Sequence, residues 1–161
     1  MTTPPPAPQL TSYLARKWRC EVDTSTTDSP TWVQVRGVTG FTPGVAATTQ
    51  STDDYDSDGW GSDEKTMLKW SLGVDLIRKG ADEATPDPGQ EALRGKADKF
   101  GADGTAHVRW YDRSGGPEAF EGYANVSWEP KGGATSDVES VTVNLTGKGA
   151  RIEIDNPAAG S

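Results

Sequence analysis

A chain of 161 residues, only 33% of them strongly apolar, has the length for one domain around a single core. Its 19 glycines, 11 prolines and six tryptophans favour many short strands joined by turns and argue against a helical bundle. The formal charge of −8 argues against a surface for nucleic-acid backbones, and the single cysteine excludes an intramolecular disulfide or a cysteine-based zinc site.

Residues 1–13 are rich in Pro and Thr and cannot bury apolar surface, so a flexible N-terminal arm is expected there. The opening lacks the basic region and apolar run of a secretory leader, and no stretch approaches the roughly 20 apolar residues of a membrane span. A chain made in a cytoplasm, with no membrane partner, is expected. The domain itself is expected over 14–155. It starts with Trp18, Cys20 and Val22 alternating with Lys17, Arg19, Glu21 and Asp23, a strand with one apolar face on which Cys20 is a buried small hydrophobe. After turn chemistry at Asp28-Ser-Pro, Val33 and Val35 against Gln34 and Arg36 give a second strand, pairing with the first as a hairpin and continuing weakly through Val38 and Phe41.

Residues 47–65 read as a long acidic loop, with Asp53, Asp54, Asp56, Asp58, Asp63 and Glu64 inside it. Beyond it Leu68, Trp70, Leu72, Val74 and Leu76 occupy every second position, a period no helix fits, so a central strand is predicted. Asp87-Pro88-Gly89-Gln90 predicts a helix over 87–101: Asp87 as N-cap, Pro88 in the first turn, Gln90 placed to close a capping box. Leu93, Ala97 and Phe100 form its apolar stripe and Gly101 its left-handed stop. Strands follow around Ala106–Tyr111, Phe120–Trp128, Val141–Thr146 and Ile152–Ile154, and 156–161 form a tail. Connections this short join antiparallel strands, so the expectation is about seven strands and one flanking α-helix in a mainly β, antiparallel sandwich or barrel.

Enzyme chemistry finds no support. His107 is the only histidine and sits on a polar strand face beside Arg109; no nucleophile elbow, phosphate loop or paired metal-ligand motif occurs. No catalytic residue and no cofactor are expected. Asp54-x-Asp56-x-Asp58-Gly59 matches the first half of a twelve-residue calcium loop, but Lys65 stands where the bidentate Glu belongs and strands flank it in place of helices. A plain connector would be built of small polar residues, whereas Tyr55 and Trp60 are large aromatics that gain by docking. The pattern favours a protein contact loop. A calcium-binding module, and a carbohydrate-binding sandwich using Trp18, Trp70 and Trp128, stay as alternatives.

Several segments in order carry a resemblance: Trp32-Val-Gln-Val-Arg-Gly-Val-Thr-Gly-Phe41, Asp54-Tyr-Asp-Ser-Asp-Gly-Trp-Gly-Ser62, Lys69-Trp-Ser-Leu72, Pro88-Gly-Gln-Glu-Ala-Leu93, Val108-Arg-Trp-Tyr-Asp112, Glu121-Gly-Tyr-Ala124 and Val143-x-Leu-Thr-Gly147. From about residue 14 to 157 the chain resembles the major tail tube proteins of long-tailed, siphovirus-type bacteriophages infecting actinobacteria. The resemblance implies a β-sandwich with a flanking helix, related in architecture to the tube proteins of type VI secretion. It also implies homohexameric rings stacked head to tail into a virion tail tube, assembled in the host cytoplasm, through which genome DNA is ejected without specific binding. Tape measure, tail tip and tail terminator proteins are the implied partners. The long loop of such proteins reaches the neighbouring ring, which makes Asp53, Asp54, Tyr55, Asp56, Asp58 and Trp60 the contact candidates. Arg16, Lys17, Arg19, Arg78 and Lys79 are their candidate basic complement, and Asp75 and Glu121 are candidates for the channel wall.

Overall fold

The computed structural model describes residues 2–160. The strands are β1 (Trp18–Asp23), β2 (Trp32–Gln34), β3 (Val38–Ser51), β4 (Asp63–Ile77), β5 (Gly80–Asp82) and β6 (Thr85–Pro86), then, after the helix α1 (Pro88–Ala97), β7 (Thr105–Asp112), β8 (Ala119–Pro130), β9 (Ser140–Gly147) and β10 (Ile152–Glu153). Eight of them form one antiparallel sheet in the order β2-β1-β7-β8-β9-β4-β3, with β10 added to β8, while β5 and β6 make a small separate hairpin.

One face of that sheet carries nearly all the aliphatic residues: Cys20 and Val22, Leu72, Val74 and Leu76, Ala106 and Val108, Ala124, and Val141, Val143 and Leu145 are all buried. A single sheet dries one face only by rolling over itself or by being covered. Both happen here. The end strands β2 and β3 are consecutive in the chain, separated by residues 35–37, so the sheet comes round on itself. Helix α1 then packs against β8, β1, β2 and β7 and inserts Leu93, whose burial contributes about 1.5–3 kcal/mol. At the centre Trp70 sets its ring 5.1 Å from Trp110 and donates from Nε1 to the Gly149 carbonyl at 3.1 Å. Its indole occupies the room left by Gly122 and Gly147, where a Cβ would fall 2.7 Å and 2.5 Å from the ring.

The helix start is as expected at Asp87, whose carboxylate accepts from the Gln90 N–H at 3.1 Å. Gln90, however, closes no capping box. Fully buried, it donates to the carbonyls of Arg36 (2.7 Å) and Ile77 (2.9 Å) and accepts from Arg78 and the Lys79 N–H, tying the β2–β3 junction to the end of β4. The helix also stops at Ala97, short of the predicted 101. Beyond that point the chain leaves the sheet, Phe100 stands 93% exposed, and Gly101 uses its positive φ to open a 3₁₀ turn. The sequence pattern also missed the β5–β6 hairpin.

The largest difference concerns 47–65. The predicted loop is ladder at both ends: β3 pairs with β4 from Val38↔Leu76 out to Ser51↔Asp63, with irregularities at Thr39 and Thr66, leaving residues 52–62 as the tip. Strands exposed on both faces show no apolar alternation, which is why pattern reading passes over them.

Candidate assembly interface

The β3–β4 hairpin projects beyond the core. From Val45 to Ser51 it runs about 20 Å at roughly 3.3 Å per residue, nearly all of it exposed. Its tip is locally built. Asp54 caps a 3₁₀ turn at Tyr55–Ser57, its carboxylate accepting from the Asp56 N–H and the Ser57 hydroxyl at 3.0 Å while Ser57 Oγ accepts from the Asp54 N–H. Asp58 and Gly59, both at positive φ, then form a type I′ turn closed by Trp60 N–H donating to Ser57 O at 3.0 Å. Asp53 holds the two sides together, accepting from the Ser62 N–H and the Ser51 hydroxyl.

The six predicted contact residues therefore divide. Asp53 and Asp54 have their carboxylates engaged in shaping the tip. Among the described residues, those of Asp56 and Asp58 have no partner, and the Tyr55 and Trp60 rings stand in solvent, Trp60 at 80% exposure. With Asp54 occupied as a cap, the half calcium motif does not converge, and no group of three or more metal-ligating side chains occurs among the described residues. The tryptophan platform is likewise dispersed: Trp70 is in the core, Trp18 stacks on Phe41 at 5.5 Å, and Trp128 lies beneath the Arg78 guanidinium.

The predicted basic complement divides in the same way. Lys17 is paired to Glu118 at 2.6 Å, a bond that raises its pKa. Arg78 is paired to Glu91 at 2.6 Å and bonded to Gln90. Lys79 lines a hollow it shares with Asp82, Glu83 and Glu139. Arg16 and Arg19 instead line a groove of about 330 Å³ between the start of β1 and the Gln34–Phe41 segment, together with Arg36 and Arg113. The last two were not anticipated, because Arg36 reads as a strand residue and Arg113 as part of a turn.

Asp75 and Glu121 both lie on the polar face of the sheet, in different surroundings. Across β4, β9 and β8 that face carries Ser71, Gly73, Thr142, Asn144, Thr146, Asn125 and Ser127, with Glu129 opposite Thr142 and with Asp75 half exposed, accepting from the Thr142 hydroxyl at 2.7 Å and lying 3.7 Å from Lys131. Across β1 and β7 it is ionic and aromatic. Arg109 pairs with Glu21 (2.5 Å) beneath Trp32, Tyr111 donates to Glu21 at 2.7 Å, and burial, then Glu21, raises the tyrosine pKa. Glu121 belongs to this second set, 3.6 Å from His107, which also meets Asp23 at 3.3 Å and stacks on Tyr123. Burial pushes the Asp23 carboxyl up, but hydrogen bonds from Ser25, Thr31 and His107 outweigh it and hold it low. Buried Cys20 is pushed up to about 12 by desolvation, a thiol with no reactive role.

No protein-family model and no curated protein matches the chain. Solved structures do. The tail of an empty gene transfer agent particle, refined with C6 symmetry, aligns with a TM-score of 0.67 at 15% identity over 89% of this chain and 99% of that one. The SPP1 tail tube aligns at 0.62 and 13% identity, covering 90% and 81%. A chain of the anti-feeding prophage baseplate, six-fold symmetrised, aligns at 0.55 and 9% identity, covering 89% and 97%. The fold is thus that of tail tube subunits over nearly the full length of the chain.

Proposed function

We propose that this chain is a non-enzymatic structural protein, the subunit of a bacteriophage tail tube of the long-tailed type, closing as hexameric rings that stack into a hollow conduit for genome DNA. The observation that carries the proposal is the alignment with almost the whole length of a chain from a C6 tail. The molecule is physically suited to the role. The β3 strand presents a long free edge, a hazard in a monomer that ring closure removes. The hydroxyl and amide half of the polar face offers short neutral side chains and few cations, a wall past which a polyanion slides without sticking. In this proposal Asp75 faces the channel and the exposed hairpin tip reaches the next ring. The tube would be completed in the host cytoplasm with a tape measure, a tip and a terminator protein, and would reside in the virion tail.

Deleting residues 50–62 removes the tip and leaves every core residue in place. A folded monomer with an unchanged far-UV spectrum that forms no tubes by negative-stain electron microscopy is the expected result. Intact tubes from that variant would refute the inter-ring role of the hairpin.

A further inference from the structure

The groove lined by Arg16, Arg19, Arg36 and Arg113 has a physical peculiarity. In a chain of net charge −8, four arginines are among the residues lining one hollow whose lining holds no carboxylate. Among the described residues none of the four forms an ion pair, although Lys17, Arg78, Arg94, Arg109 and Lys131 all do. The Nε of Arg19 is buried without an acceptor, its side chain lying beside Tyr111, its partner across β1 and β7. Glu21, two residues along the same strand, is already engaged by Arg109 and Tyr111. The groove also lies at an open seam: β1 meets β2 only from Glu21 onward, so Trp18 and Arg19 have no neighbouring strand on that side. Stacked Trp18 and Phe41 lie along its lining.

The chain carries the complementary object at the other end of the same hairpin. Asp56 and Asp58 are unpartnered carboxylates, and Tyr55 and Trp60 are exposed aromatics. Phe41 at the groove and Ser51 below the tip are ten strand residues apart, about 33 Å at 3.3 Å per residue, so the tip cannot reach its own groove. Plug and socket at opposite ends of one rigid ribbon make a head-to-tail contact, which repeats without closing. We propose that the four-arginine groove is the socket for the acidic hairpin tip of a second copy of this chain, with Asp56 and Asp58 paired to the arginines and the tip aromatics set against Trp18 and Phe41. This rests on the stacked-tube reading and gives it a receptor.

The test uses two full-length variants. Asp56→Lys/Asp58→Lys keeps the socket and spoils the plug. Arg36→Glu/Arg113→Glu keeps the plug and spoils the socket at two exposed residues outside the strands, and Arg16→Gln/Arg19→Gln serves as a second socket variant should the first fold poorly. Each alone is expected to stay monomeric in sedimentation velocity, while their equimolar mixture, in which every plug meets a socket of opposite charge, forms alternating complexes of one-to-one composition, weakened about tenfold or more between about 50 and 300 mM salt. A chain carrying all four reversals is expected to associate with itself again. The absence of a one-to-one complex, or a socket variant that assembles like the parent, overturns the proposal. So does a groove that binds a short single-stranded oligonucleotide while the mixture forms no complex. A complex without tubes from the parent chain would keep the socket and refute the tube; tubes without a complex would do the reverse.

Discussion

The two halves of the β3–β4 hairpin share one ladder and differ in almost everything else. In the near half, Leu72, Val74 and Leu76 are buried to within 1% and Trp70 to 3%. In the far half the same strands run on through Leu68 and Met67, each about two-thirds exposed, with Val45 opposite Trp70 already open to solvent. A two-stranded ribbon by itself is marginal in water, so the far half persists because the near half anchors it and Asp53, Asp54 and the Asp58-Gly59 turn close its end. Backbone bonding without packing is what the monomer spends on this segment. The domain's core is complete without it, so the far half adds backbone bonding and little burial to the monomer.

The near half should break first and most. Trp70→Ala removes the largest side chain at the centre, with its contact to Trp110 and its bond to the Gly149 carbonyl, and is expected to cost about 3–5 kcal/mol in chemical denaturation. A loss below about 1 kcal/mol would erase the contrast between the halves. A smaller effect is expected from pH, again on the core side. Arg94, then Arg78, hold Glu91 down to about 2, on the helix that closes the core. Its folded value lies below the unfolded one of about 4.3, so this stability is fully present above that value and is lost as pH falls toward 2. Thermal melts between these limits should show a shallower decline in Glu91→Gln than in the parent.

The same contrast explains what could be read from the residues. Strands with one buried face announce themselves: Trp18-x-Cys20-x-Val22, Trp70 through Leu76 and Val141-x-Val143-x-Leu145 all appear where alternation puts them. The helix start was legible because Asp87 and Pro88 carry local chemistry, whereas its end was not, because Phe100 fits the stripe and yet meets no sheet. The far hairpin was legible only in part. Asp58-Gly59 is a strong turn signal, and Thr48 and Thr49 are β-branched, but residues wet on both faces have no period to detect. For the interface, the acidic and aromatic tip stood out as composition. The proposed socket was legible in part: Arg16 and Arg19 stood out as basic candidates, whereas Arg36 and Arg113 come from two further segments that only the fold brings to the same groove.

The smallest effect on the monomer belongs to the far half. Met67→Ser/Leu68→Ser exchanges two exposed side chains on a solvated ribbon and is expected to shift unfolding by no more than about 0.5 kcal/mol per site. Leu68, with Val45, Gly147 and Arg151, lines an open apolar groove of about 610 Å³ at the root of the hairpin. A monomer gains nothing from keeping such side chains in water, so their contribution should emerge only when another surface covers them. The double variant should therefore melt like the parent and yet need a higher concentration before assemblies appear by light scattering. If it melts several degrees lower, the far half is packing within its own chain, and the division between core and ribbon is in the wrong place.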